Sequence, residues 1–225
     1  MKYYIIMLVC LLSGTMVMAQ AQAEKDYTKV ISDRTGKYLV NIGITDTLSP
    51  KFKKAQAVLM DQYRAINSIH DARNAKVKEI KATAGDDKAA ANAKVAATDS
   101  IMNAQLTALH PVFLAKLGKE LTPQQVEAMK DEMTYKKVAV TYNGYTDELP
   151  QLTDAQKTQI KNWLIEAREK AIDAGSSDEK TAIFGKYKGR INNYLSKEGY
   201  DMKKAGEEWQ KRLKEKAAAK SPSNN

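Results

Sequence analysis

Residues 49–80, SPKFKKAQAVLMDQYRAINSIHDARNAKVKEI, carry the longest amphipathic pattern of the chain and decide its fold class. Apolar side chains recur every three or four residues from Phe52 to Ile80, which is the period of one face of an α-helix. Ser49-Pro50 supplies an N-cap and a proline at the first helical position, and Gly85 ends the pattern. The stretch therefore predicts a helix of about nine turns.

The same period marks six further helices. Five prolines and eleven glycines among 225 residues leave long uninterrupted elements. Val138, Val140 and Tyr142 alternate as in a strand, but no second run could pair with them, so an extended connector is expected. We predict an all-α, single-domain bundle of about seven helices with no substantial sheet. The further helices lie at 27–42, at 88–117, after Thr122, after Thr153, after Ser177 and after Asp201.

The first nineteen residues have the pattern of an export signal. Lys2 precedes an apolar run that is too short to span a bilayer, and Val17-x-Ala19 fits the small-residue cleavage rule. We expect a Sec-type signal peptide at 1–19, a helical domain at 24–215 and a disordered tail at 216–225. The cleaved protein, with no transmembrane span, is expected in the periplasm or outside the cell.

Charge and cysteine content narrow the partners. The formal charge of +9 falls to +8 when Lys2 is removed with the signal, and the single cysteine, Cys10, is removed with it. An exported basic protein is expected to meet anionic glycans, lipid head groups or peptidoglycan rather than nucleic acid, although a Lys-rich surface can also serve solubility alone. His70 and His110 lack metal-site spacing, so neither a metal nor a cofactor is expected.

The densest turn signal is Thr141–Tyr145, TYNGY. Such a turn would place Tyr142, Asn143 and Tyr145 together, with aromatic faces for a sugar ring and an amide for its hydroxyls. An ordinary helix connector pinned by tyrosine is the alternative interpretation.

A basic and amide stripe follows one predicted helix near its end. Lys186, Arg190 and Asn193 recur at helical spacing and are candidate contacts for an anion such as a uronate, although a solvated charged face is the commoner explanation. Gly185 and Gly189 interrupt the same helix, and each costs roughly 1 kcal/mol relative to alanine. Close packing of another backbone is the favoured compensation, and a ligand is the alternative.

His70 and Asp71 lie on a polar stripe beside the apolar row of the long helix. Histidine and aspartate can bind hydroxyls or transfer protons, so the pair is a candidate polar anchor. A structural network between two helices is the favoured alternative.

Catalytic signals are weak. Asp147-Glu148 and Asp131-Glu132 are neighbours in sequence, and neighbours on a helix point apart. No nucleophile elbow or phosphate-binding loop is present. The sequence therefore leans against an enzyme and assigns no catalytic residue.

Two resemblances bear on function. Leu121–Gln125 and Leu152–Gln156 share the pattern L-T-x-x-Q, which resembles the paired motif of periplasmic helical stress chaperones. Ile66–Arg73 (INSIHDAR), Met133–Tyr145 (MTYKKVAVTYNGY) and Asp173–Asp201 resemble a family of exported bacterial proteins catalogued as a domain of unknown function. That resemblance runs from about Tyr27 to Lys203 and implies sugar binding without a catalytic residue set.

The function expected from these observations is a non-catalytic carbohydrate-binding or polysaccharide-utilisation accessory protein. Its expected partner is a glycan, with an anionic uronic-acid glycan as one option. A periplasmic helical chaperone is the alternative hypothesis, and a glycan-active enzyme is the third. The sequence leaves the oligomeric state open.

Overall fold

The computed structural model describes residue 22 and residues 24–220 of the chain. These residues form eight α-helices and no strand, so the all-α prediction is confirmed. The predicted signal peptide at 1–19 lies outside the described residues. The helices are α1 (24–41), α2 (Pro50–Thr83), α3 (Lys88–Glu120), α4 (Pro123–Met133), α5 (Lys137–Glu148), α6 (Asp154–Ile172), α7 (Ser177–Lys197) and α8 (Met202–Lys220).

The connector expected around Val138 is a helix, α5, which is additional to the seven predicted, so the predictions of an extended segment and of a TYNGY turn are wrong. α5 runs through both stretches. Spacings of four and three separate Val138, Tyr142, Tyr145 and Leu149. Tyr142 packs against the buried hydrophobic cluster to which the other three belong. Because burying this row stabilises a helix, tertiary packing overrides the strand preference of the valines.

Two element boundaries also differ from expectation. The N-cap of α7 is Ser176 rather than Ser177, since its hydroxyl accepts a hydrogen bond from the backbone N–H of Glu179. α8 continues to Lys220, although a disordered tail was expected from residue 216. Lysine and alanine are strong helix formers, which explains the additional turn.

Both L-T-x-x-Q motifs form capping boxes at the start of a helix. Thr122 and Gln125 exchange two hydrogen bonds of 3.2 Å between side chain and backbone. Thr153 and Gln156 do the same at the start of α6, at 3.0 and 3.2 Å. The L-T-x-x-Q motifs therefore have a structural role in starting helices.

Replacing Thr153 by alanine is expected to lower the free energy of unfolding by about 1 kcal/mol, because the first turn of α6 loses its cap. Thr153→Ser, which keeps the hydroxyl, is the matched control. Chemical denaturation of both variants measures the difference, and equal stability of the two would contradict the capping role.

The chain divides into two compact units, Met1–Val126 and Glu127–Asn225. In the first unit, α2 packs against α3, and Arg73 Nε on α2 lies 2.7 Å from Asp99 Oδ1 on α3. Gln56 on α2 donates a 2.9 Å hydrogen bond to the backbone carbonyl of Ser32 on α1. The long amphipathic helix thus contacts both of its sequence neighbours.

In the second unit, α6 is the central helix and packs against α5 and α7. Its core consists of apolar side chains from α5, α6 and α7 and from the connector between α5 and α6. The fully buried members include Ile160, Leu164, Ala167, Ala171, Ile191 and Leu195.

A buried arginine joins α4 to α6. Arg168 is only 5% exposed, and its guanidinium hydrogen-bonds the carboxylates of Glu127, Asp131 and Glu169. The contact to Asp131 is 2.8 Å and that to Glu169 is 3.0 Å. The buried charge of Arg168 is therefore paired with three carboxylates, and such pairing is what makes the burial of an arginine tolerable.

Candidate functional site

An open groove of about 620 Å³ lies between α6 and α7 in the second unit. It contains the basic stripe predicted from the sequence, because Lys186, Arg190 and Asn193 all line it. Trp163, Gly189, Tyr194 and Lys197 complete the lining. We call this surface the α6–α7 groove.

The aromatic part of the groove is Trp163 on α6 together with Tyr194 on α7. Their ring centroids are 5.3 Å apart and the planes meet at 85°, which is an edge-to-face contact. Trp163 is half-buried, so part of the indole is fixed in the protein and part faces the groove.

Arg190 lies over the ring of Trp163. Its guanidinium carbon is 4.6 Å from the centroid of Trp163, a cation–π distance. Nη1 also lies 3.5 Å from Oε2 of Glu166. The side chain is 54% exposed, so most of its hydrogen-bond donors remain available to a ligand.

Glu166 is itself held in place. Its Oε1 accepts hydrogen bonds from the Tyr187 hydroxyl at 2.7 Å and from Lys170 Nζ at 3.2 Å. These bonds, the one from Tyr187 first, hold the pKa of Glu166 below its ordinary value of 4.5. Glu166 therefore stays ionised at neutral pH and anchors Arg190.

The two glycines of α7 do not serve close backbone packing, so that prediction is wrong. A Cβ atom at Gly185 or at Gly189 would meet nothing within 4 Å. Gly189 lines the α6–α7 groove. A ligand at this glycine stays a prediction.

Replacing Gly189 by alanine is expected to raise the free energy of unfolding by about 0.5–1 kcal/mol, since the helix gains propensity without a clash. Gly185→Ala should give a similar gain and is the matched control. Thermal and urea denaturation measure both. If either substitution lowered stability, the added methyl group would have to clash with a neighbour, which would contradict the open space at both glycines.

The predicted tyrosine and amide site is dispersed by the α5 helix. Tyr145 is 4% exposed and belongs to the core, and Tyr142 packs against the same cluster. Asn143 is exposed. The three side chains do not surround one turn, and their role in ligand binding stays a prediction.

His70 and Asp71 lie on α2 in the first unit. Asp71 is exposed and His70 is half-buried. Two residues further along α2, Arg73 forms an ion pair with Asp99 that links α2 to α3. A ligand-binding or anchoring role for His70 and Asp71 stays a prediction.

Trp163 and Tyr194 are the groove residues that sequence reasoning missed. Both lie at helical spacing within apolar rows, a pattern that predicts a core position rather than a site. A tryptophan on α6 beside an arginine on α7 becomes visible as a site only when the two helices are paired.

The described helices and acidic or histidine side chains bear on membrane spanning and metal binding. In the described ranges, none of the helices combines the length and apolar character that crossing a bilayer requires. The same part of the chain contains no group of three or more His, Cys, Asp or Glu side chains placed to hold a metal ion.

Fold and groove together define an all-α protein with an aromatic and basic surface groove. A family model described as "Protein of unknown function (DUF3826)" matches residues 28–215, and the chain belongs to this family. No curated protein matches the chain. The resemblance noted from the sequence is thus confirmed as membership of a family of unknown function.

Proposed function

We propose that this protein is an exported, non-catalytic carbohydrate-binding accessory protein and that the α6–α7 groove is its glycan site. The observation that carries the proposal is the Arg190 guanidinium, which lies 4.6 Å from the Trp163 centroid beside an open groove. Aromatic faces take the C–H side of a sugar ring, and a guanidinium binds carboxylate or paired hydroxyl oxygens.

The charges of the groove favour an anionic glycan. Lys186, Arg190 and Lys197 supply three cations, and Glu166 offsets one of them through its contact with Arg190. A uronate would meet the remaining positive potential together with the amide of Asn193. Because these groups are exposed, the electrostatic part of binding should weaken as salt is added.

The binding test uses a variant with a single tryptophan. The chain has two tryptophans, so Trp209→Phe leaves Trp163 as the fluorophore of the groove. We expect oligogalacturonate to change its emission with saturation, and added salt to shift the midpoint upward. Product analysis of the same mixtures reports any cleavage, and cleavage would contradict the non-catalytic part of the proposal.

In that background, Arg190→Ala is expected to raise the dissociation constant for oligogalacturonate at least roughly tenfold, since a charge-assisted contact to the uronate is lost. Arg190→Lys should recover only part of the affinity, because lysine keeps the charge but not the planar fork. Lys161→Ala removes an exposed charge of α6 outside the groove and is the matched control. Equal affinity of the Arg190 and Lys161 variants would remove the groove from the proposal.

A further inference from the structure

A second groove, of about 320 Å³, lies between α5, α7 and α8. We call it the α5–α8 groove. Its wall combines apolar and polar side chains, and α7 contributes to it through Lys188 and Asn192, neither of which lines the α6–α7 groove. The residues that matter for its chemistry are Tyr145, Glu148, Lys188, Asn192, Met202 and Trp209.

The first polar group is the amide of Asn192, whose orientation is fixed. The buried hydroxyl of Tyr145 donates a 2.6 Å hydrogen bond to Oδ1 of Asn192 and also lies 3.2 Å from the carbonyl of Lys188. With Oδ1 engaged by Tyr145, Nδ2 of this exposed amide is left as a donor. Tyr145 thus presents an amide donor at the groove.

The second polar group is the carboxylate of Glu148, at the end of α5. It is half-buried, and within the described residues its oxygens accept no hydrogen bond. Arg212 does not pair with it directly, since Nη2 donates to the backbone carbonyls of Asp147 and Glu148 at 2.8 and 3.1 Å. Burial raises the pKa of Glu148, while Lys188 and Arg212 oppose the rise.

Gly206 on α8 lies next to this carboxylate. A Cβ atom at Gly206 would lie 3.5 Å from Oε1 of Glu148, so the side chain of Glu148 rests directly over the glycine. Glu148 itself lines the α5–α8 groove.

The apolar part of the groove is supplied by Trp209 and Met202 on α8. The indole Nε1 of Trp209 donates a 2.7 Å hydrogen bond to Oδ2 of Asp147, which fixes the ring. The hydrogen bond from Trp209 in turn holds the pKa of Asp147 below its ordinary value of 3.8. A fixed indole is a suitable surface for the apolar face of a ring.

We propose that the α5–α8 groove is a second saccharide site and that it takes a neutral sugar residue. Glu148 accepts from one hydroxyl, the Asn192 amide donates to its neighbour, and Trp209 contacts the C–H face of the ring. A uronate is disfavoured here because its carboxylate would approach Glu148. The inference extends the proposed class of ligand, carbohydrate, but depends on none of the residues of the α6–α7 groove.

The two tryptophans allow each groove to be read separately, because the α6–α7 groove contains Trp163 and the α5–α8 groove contains Trp209. Trp163→Phe leaves Trp209 as the only tryptophan. We would titrate this variant with cellobiose, xylobiose, mannobiose and galactobiose. The expected result is a saturable change of Trp209 emission with at least one of these sugars at concentrations up to about 50 mM, which covers dissociation constants in the millimolar range.

Variants at the polar groups then test the assignment. With the sugar that binds, Glu148→Gln and Asn192→Ala should each raise the dissociation constant at least roughly tenfold. Glu215→Gln, which removes an exposed carboxylate of α8 outside the groove, should leave it unchanged. Circular dichroism melting shows that the variants are folded.

The proposal is overturned if no sugar of the panel gives a saturable change, or if the Glu148 and Asn192 variants bind like the Glu215 variant. The oligogalacturonate titration of Trp209→Phe reports only the other groove. If only the oligogalacturonate titration failed, the anionic site would be removed and the neutral site would stand. If only the neutral-sugar titration failed, the neutral site would be removed and the anionic site would stand.

Discussion

Replacing Arg168 by methionine is expected to lower the free energy of unfolding by about 3 kcal/mol. The buried guanidinium compensates Glu127, Asp131 and Glu169. Methionine removes this charge, and Lys130 continues to pair with Glu127 and Glu169. Urea denaturation at neutral pH measures the loss. Lys161→Met, which removes an exposed cation of the same helix, is the matched control and should change stability by less than about 0.5 kcal/mol.

The pH dependence of this variant gives a second test. Burial raises the pKa of Glu127, but hydrogen bonds from Lys130 and Arg168 outweigh it and hold the pKa below its ordinary value of 4.5. A carboxyl with a lowered folded-state pKa stabilises the fold above its unfolded pKa and loses that contribution as the pH falls. The stability gap between the natural chain and Arg168→Met should therefore narrow below pH 4.5, and a gap that widens in acid would contradict the network.

Replacing Ile191 by alanine is expected to lower the free energy of unfolding by about 3–4 kcal/mol. Ile191 is fully buried on α7 and belongs to the core that joins α7 to α6. The truncation removes transfer free energy and leaves a cavity in the middle of the helix that carries the basic stripe. Thermal and urea denaturation give the magnitude.

Ile191→Val is the matched control, with an expected loss of about 0.5–1.5 kcal/mol because only one methyl group is removed. Its sugar affinity should equal that of the natural sequence. A loss for Ile191→Ala no greater than that for Ile191→Val would mean that α7 is not held by its buried face.

Most of the fold could be predicted because helical spacing and capping chemistry agree along the chain. Ser49, Thr122, Thr153 and Asp201 each begin a helix where the sequence places a cap. The exception is α5, where alternating valines imitate a strand over a few residues. Only the longer row from Val138 to Leu149 shows the helical period, and a short window does not contain it.

The candidate site could be predicted only in part. The spacing of Lys186, Arg190 and Asn193 places them on one helix face, and the structure brings them to one groove. The missing half, Trp163, belongs to another helix and looks like a core residue in the sequence. The sequence shows that Gly189 lowers helix stability, but it does not show what faces the glycine. Only the packed structure shows that open space, and not another backbone, lies there.

The contacts of Arg190 with its protein neighbours restrict the conformations of its side chain before any ligand is present. Tyr187 and Lys170 donate hydrogen bonds to Glu166. Glu166 contacts Arg190, whose guanidinium also lies over the ring of Trp163. The conformational entropy of an ordered side chain, about 0.5–1.5 kcal/mol, is then lost during folding rather than when a ligand binds. For the proposed glycan site, we therefore expect affinity to depend on Tyr187, a residue that does not line the groove.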